Sequence, residues 1–274
     1  MNEHGLQPNT LQPVLQQLAR IARHVSQLGW SVGHSGNASI LLADTAADQI
    51  TANTLRSWRH PVTLDGFTGR LILITKAGSR FRDIVVDARA GVTLLRIDRP
   101  GDLITQLSDN PNEDGWPTSE LAAHLHAYKA LARQRIEECA LLHLHPPELV
   151  ALTLDPYLTS EQVFNDEVLS LYPEATLMFP RGVGMLPYMP PGSEQLALAS
   201  AKALAPHGIV VWCKHGVIAG GRTLDEALDR IEALNTAAKL LLHCRQAGFE
   251  PQGLTAAEAA ELRSWALKEG SQRN

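Results

Sequence analysis

The sequence lacks the features that would take a chain to a membrane, a nucleic acid or the cell exterior. Its longest apolar runs fall far short of the roughly 20 residues a membrane-spanning helix needs. Its 24 Lys and Arg are scattered among 29 Asp and Glu with no basic stripe, which argues against nucleic acid as a partner. The first residues, Met1 to Gly5, show no charged stretch followed by an apolar core, so no secretion signal is expected. Only three cysteines occur, Cys139, Cys213 and Cys244, a widely spaced odd set that fits no zinc–cysteine pattern and points to a reducing compartment. Repeats, low-complexity tracts and linkers are also missing. What remains is a chain of 274 residues, 45% apolar, with a net charge of −5. That is enough for a single domain over residues 1–274 with a true core, expected to be soluble and cytoplasmic.

Periodicity places the elements. Leu11, Val14, Leu15, Leu18, Ile21, Ala22, Val25 and Leu28 recur at helical spacing, so residues 9–29 read as an amphipathic helix with Asn9 as N-cap and Gly29 as its stop. Strands are expected at Ser39–Leu42, Leu71–Thr75, Val92–Ile97, Cys139–His143, Ala175–Phe179 and Ile209–Cys213. A helix opens at Pro117-Thr118-Ser119-Glu120, where proline and a hydroxyl residue favour a start, and continues through Leu131. Further helices are expected at Glu148–Thr153, at Ser193–Ala205 ahead of Pro206 and Gly208, and at Leu224–Gln246. Residues 43–70 read as an irregular polar excursion. Strands alternating with helices give the α/β class.

Among the 11 histidines, three stand apart. His143 and His145 lie two residues apart at the end of the apolar run Ala140-Leu141-Leu142. Side chains in a strand repeat every two residues, so both imidazoles face one side. His215 follows another apolar run, Ile209 to Trp212, and can add a third ligand from a neighbouring strand. Three histidines and one open position is the form of a catalytic zinc site. For an isolated His-x-His, ordinary histidines at a sheet edge are the commoner explanation. His124 and His126 share the spacing but fall on a helix, where residues two apart do not face each other, and read as structural or solvent-facing. Glu120, in the first turn of a helix, is favoured there by the dipole alone, and beside a metal it can serve as a general base. Ser35-Gly36-Asn37, Ala77-Gly78-Ser79 and Thr118-Ser119 are turns or helix starts whose N–H groups can cradle an anion.

Taken together, Ser35-Gly36-Asn37-Ala38-Ser39, Ile74-Thr75-Lys76-Ala77-Gly78, Pro117 to Leu121, His143-Leu144-His145, Phe179 to Pro187 and His215-Gly216-Val217 resemble the class II aldolase/adducin family, in the family's order. The Phe179–Pro187 stretch resembles the branch that acts on L-rhamnulose 1-phosphate. The resemblance implies an α/β/α sandwich with a mainly antiparallel sheet, assembled as a homotetramer with active sites at subunit interfaces. It implies one Zn2+ per subunit on His143, His145 and His215, with other divalent metals as substitutes. It implies Glu120 as the base beside the metal and Glu174 as a catalytic group reaching a neighbouring subunit's site. Gly36, Asn37, Gly78, Thr118 and Ser119 match contacts to a small-molecule sugar phosphate. The implied reaction is retro-aldol cleavage of a ketose 1-phosphate to dihydroxyacetone phosphate and, from rhamnulose 1-phosphate, L-lactaldehyde. The same fold also carries epimerases, dehydratases, aldolases for other aldehydes and non-catalytic adducin-like domains. Three positions depart from the pattern: Ser35 replaces a glycine, His34 an asparagine, and Ala77 a serine preceded by Lys76. His34 or Lys76 can offset the lost hydroxyl as a cationic phosphate partner, or the anion there differs.

Overall fold

The apolar runs pair into one sheet whose two faces are both covered by helices. The computed structural model describes residues 8–43, 52–108, 110, 114–132 and 139–272. In chain order the elements are α1 (Pro8–Leu28), β1 (Asn37–Leu41), β2 (Asn53–Arg59), β3 (Leu71–Thr75), α2 (Phe81–Ile84), β4 (Val92–Asp98), β5 (Leu103–Ser108), α3 (Leu121–Leu131), β6 (Cys139–Leu144), α4 (Pro147–Leu152), α5 (Glu161–Glu167), α6 (Pro173–Met178), β7 (Gly184–Leu186), α7 (Glu194–His207), β8 (Ile209–Trp212), β9 (Gly216–Gly221), α8 (Leu224–Gln246) and α9 (Ala256–Gln272). Nine strands line up as β2-β5-β4-β3-β1-β6-β9-β8-β7. Every neighbouring pair is antiparallel except β7 and β8, which run parallel.

Alternation along the central strands decides which side chain serves which layer. In β6, Ala140, Leu142 and Leu144 pack with Leu18, Ile21 and Val25 of α1 and Ile231 and Leu234 of α8. Leu141 points the other way, into a second core with Leu125 and Tyr128 of α3 and Leu204 of α7. Each buried leucine or isoleucine contributes about 1.5–3 kcal/mol, so a one-residue slip of β6 would be costly. His143 has the parity of Leu141 and therefore faces the α3 side. The architecture is the expected α/β/α sandwich. No helix among the described residues is long and apolar enough to cross a membrane.

Several local expectations are corrected. Ala175–Phe179 is not a strand. Ala175–Met178 lies in α6, which Pro173 opens from a first-turn position with Glu174 beside it, and Phe179 caps its end. A short, mostly apolar run does not distinguish a strand from a buried helix turn, and the proline was the informative residue. Residues 53–59 of the polar excursion form β2, an edge strand whose side chains are exposed or half-buried and so lack an apolar rhythm; residues 44–51 lie outside the described residues. The first helix includes Pro8, so Asn9 is not its cap. Gly29 does end it, at φ +71°. Pro206 sits inside the last turn of α7, and Gly208, at φ 72°, is the actual stop.

Candidate metal centre and active site

Asn37 opens β1 directly opposite His143, near the end of β6. His145 follows that strand, its N–H donating to the Trp30 carbonyl. His215 occupies the turn between β8 and β9, where Trp212 pairs with Gly216 and Lys214 takes a left-handed φ of 63°. Because β9 is the neighbour of β6, this turn brings His215 to the other two histidines. One potential ligand atom from each of the three lies within 4.8 Å of the others. Ring centroids are 4.5 Å apart for His143 and His145, 4.9 Å for His143 and His215, and 5.1 Å for His145 and His215.

Glycine makes this approach possible. A Cβ on Gly216 would collide with the Leu144 carbonyl and stand 3.0 Å from the His145 ring and 3.2 Å from that of His143. Gly36, at φ +81°, sits so close to β6 that a Cβ would lie 3.0 Å from the His143 carbonyl.

The donor set fits a divalent cation. Nε2 of His143, Nδ1 of His145 and Nδ1 of His215 are buried with no hydrogen-bond partner. Native interiors rarely leave such nitrogens unsatisfied without a reason. Nδ1 of His143 lies 2.9 Å from the Val217 carbonyl. It therefore carries the proton, and the Nε2 lone pair is free for a ligand bond. Burial holds all three imidazoles neutral: His143 is driven well below the ordinary histidine range, His145 down to about 3, and His215 is lowered as well. Neutral imidazole is the metal-binding form.

Glu120 stands at the N-cap position of α3 with only 7% exposure. Its Oε2 is 3.5 Å from Nε2 of His143 and its Oε1 is 3.9 Å from Nε2 of His215. The Asn37 amide donates to Oε2 at 2.7 Å. His124 and His126, both on α3, differ sharply. His124 is buried and bonded to Asn37 and Ser39, whereas His126 pairs at 2.7 Å with the exposed Glu194.

Three loops close around the same rim. Nδ1 of His34 meets the Gly78 carbonyl at 2.5 Å, Ala77 N–H donates to the Trp116 carbonyl at 2.8 Å, and Thr118 N–H donates to the Thr75 carbonyl at 3.0 Å. The turns bearing His34 and Gly36, Lys76 and Gly78, and Thr118 and Ser119 are thereby tied together beside the histidines. Thr118 is buried and Ser119 exposed. The Lys76 ammonium donates to the Ala90 carbonyl at 3.0 Å. Arg80, which sequence reasoning missed, places Nη2 3.3 Å from Nε2 of His34.

A family model described as the class II aldolase and adducin N-terminal domain matches residues 16–242. The chain belongs to that family. It is an aldehyde-lyase of the class II type, whose chemistry depends on a metal. It is 30% identical to a rhamnulose-1-phosphate aldolase of Mannheimia succiniciproducens, over 82% of this chain and 83% of that one. It is 29% identical to a protein of the same name from Bacteroides thetaiotaomicron, over 90% and 92% of the two chains. Among solved structures, a sugar-phosphate aldolase from Thermotoga maritima superposes with a TM-score of 0.76 at 28% identity, covering 89% of this chain and 99% of that one.

One anticipated residue of this aldolase lies apart from the cluster. Glu174 is exposed on the first turn of α6, while its neighbours Ala175 and Thr176 are buried. The signal that could have revealed His124 is its spacing: Glu120, His124 and Tyr128 are four apart and share one stripe of the helix.

Proposed function

We propose that this chain is a zinc-dependent aldolase that cleaves a ketose 1-phosphate, with L-rhamnulose 1-phosphate giving dihydroxyacetone phosphate and L-lactaldehyde. One observation carries the reading: His143, His145 and His215 each bring a ring nitrogen within 4.8 Å of the others, beside the buried Glu120, in a chain whose relatives are named for this reaction. His143, His145 and His215 would hold a divalent cation, which would supply Lewis-acid stabilisation of the negative charge that develops as the carbon–carbon bond breaks. Zinc suits three imidazoles, with cobalt or manganese as substitutes.

The chain's own groups handle positioning and protons. The C3–C4 bond breaks, its electron pair stays on C3, and the C4 hydroxyl becomes the aldehyde. Glu120 moves the proton at C3, the carbon that becomes nucleophilic in the reverse direction. Glu174 of a neighbouring subunit takes the proton from the departing aldehyde oxygen. Its exposure on a helix whose adjacent residues are buried supports a carboxylate held outward for such a contact. Gly36, Asn37, Gly78, Thr118 and Ser119 line the substrate and phosphate cradle. Arg80, whose guanidinium faces His34, and Lys76 bring positive charge to a loop where Ala77 has no hydroxyl, with His34 as a further contact to the phosphate. The enzyme is a single-domain, cytoplasmic homotetramer with its sites between subunits.

A cleavage screen with the metal-loaded enzyme tests this. L-rhamnulose 1-phosphate should yield L-lactaldehyde, and unphosphorylated rhamnulose should be cleaved much more slowly. If metal is bound and no ketose 1-phosphate is cleaved, the proposal fails.

A further inference from the structure

A line of buried side chains runs from Glu120 into the core behind it. The Asn37 amide contacts Oε2 of Glu120 at 2.7 Å, and its carbonyl oxygen lies 2.6 Å from Nε2 of His124. Nδ1 of His124 lies 2.6 Å from the Ser39 hydroxyl, which lies 2.6 Å from the Tyr128 hydroxyl. His124, Ser39 and Tyr128 are each only 1% exposed.

The chemistry of these groups allows one direction of donation when Glu120 is ionised. A carboxylate only accepts, so the Asn37 NH2 faces Glu120 and its carbonyl faces His124. His124 must then donate from Nε2. Burial keeps His124 neutral, with its proton affinity lowered to a pKa of about 4, so Nδ1 is an acceptor. Ser39 has one proton and gives it to Nδ1, so the Tyr128 hydroxyl donates to Ser39. Every link points toward Glu120, and hydrogen bonds aligned in this way reinforce one another. The Asn37 amide does not release its protons, so the line holds geometry and does not conduct protons. It fixes Oε2 as an acceptor and leaves Oε1 for the substrate.

We infer that His124 is a positioning residue for catalysis, acting with Ser39 and Tyr128 through Asn37 to hold the Glu120 carboxylate in its reactive orientation. The inference rests on the proposed role of Glu120 in proton transfer. Both ring nitrogens of His124 are taken up by Asn37 and Ser39, so the line acts on the base and not on metal uptake.

Metal-loaded full-length Ser39→Ala, His124→Phe and His124→Gln variants test it, with kcat, KM and metal content measured beside the imidazole nitrogen NMR of the wild type. Ser39→Ala and His124→Phe should lower kcat about 10–100-fold, as loss of an outer-shell partner does, with KM and metal content within about twofold of wild type. His124→Gln keeps a donor toward Asn37 and an acceptor toward Ser39 and should recover part of the loss. The His124 imidazole should be neutral, with its proton on Nε2. Wild-type kcat in both Ser39→Ala and His124→Phe, losses that track only misfolding or lost metal, or a His124 proton on Nδ1 would overturn the inference. If the wild type cleaved no ketose 1-phosphate, the proposed reaction would fall, and the imidazole spectrum would still decide the direction of the line.

Discussion

At Gly216 a methyl group has no room. The Leu144 carbonyl and the rings of His143 and His145 occupy the space a side chain would enter, and all belong to the neighbouring strand's end. Gly216→Ala must push β9 from β6 or rotate the histidines, at a cost of about 1–3 kcal/mol for overpacking. The expected outcome is lower metal affinity, by roughly 10-fold or more, together with a lower Tm, read by metal content after dialysis and by thermal melting. Unchanged metal binding in this variant would show that the three histidines are not held by that contact. At this scale the sequence was informative where meaning lies in short spacing. His143 and His145 are legible because a strand repeats every two residues. His124 shares its two-residue spacing with His126, whereas its ring bonds Asn37 and Ser39 on β1, which in turn bond Glu120 and Tyr128. Those strand partners are over 80 positions away, and only β1's place beside α3 brings them near.

The elements show the same division. Leu71–Thr75 and Leu224–Gln246 have the bounds expected, because a fully buried strand reads as an unbroken apolar run and a long helix carries its own period. Gly29 and Gly208 mark helix ends through positive φ, a property of the residue itself. The failures are elements whose character comes from their neighbours. β9, Gly216–Gly221, contains three glycines and is not among the strands expected from the sequence, yet it is buried throughout between β6 and β8. Those glycines leave room for what packs on them: Leu131 and Leu141 against Gly220, and the start of α8 against Gly221. Leu103–Ser108 is a strand only because β2 and β4 flank it.

At the scale of the molecule, the proposed site needs two chains. His143, His145, His215 and Glu120 converge within one subunit, while Glu174 stands exposed on α6. This division predicts complementation. Glu120→Ala and Glu174→Ala variants should each be nearly inactive. Mixed by unfolding and reassembly, they should recover activity, because about a quarter of the sites then join an intact Glu120 to an intact Glu174 from the adjacent subunit. Recovery measured as initial cleavage rate against mixing ratio should peak near equal amounts. A mixture no more active than its parents would place both carboxylates in the same chain or remove Glu174 from the reaction.

Those interfaces matter only if the three histidines hold the metal that the chemistry uses. Zinc titration into metal-stripped enzyme, with cleavage of L-rhamnulose 1-phosphate followed at each addition, asks this directly. Activity should be absent at the start, rise with zinc and level off at one ion per subunit, and His145→Ala should follow no such curve. Full cleavage by the stripped enzyme, or a His145→Ala variant that keeps both its zinc and its rate, would contradict the account.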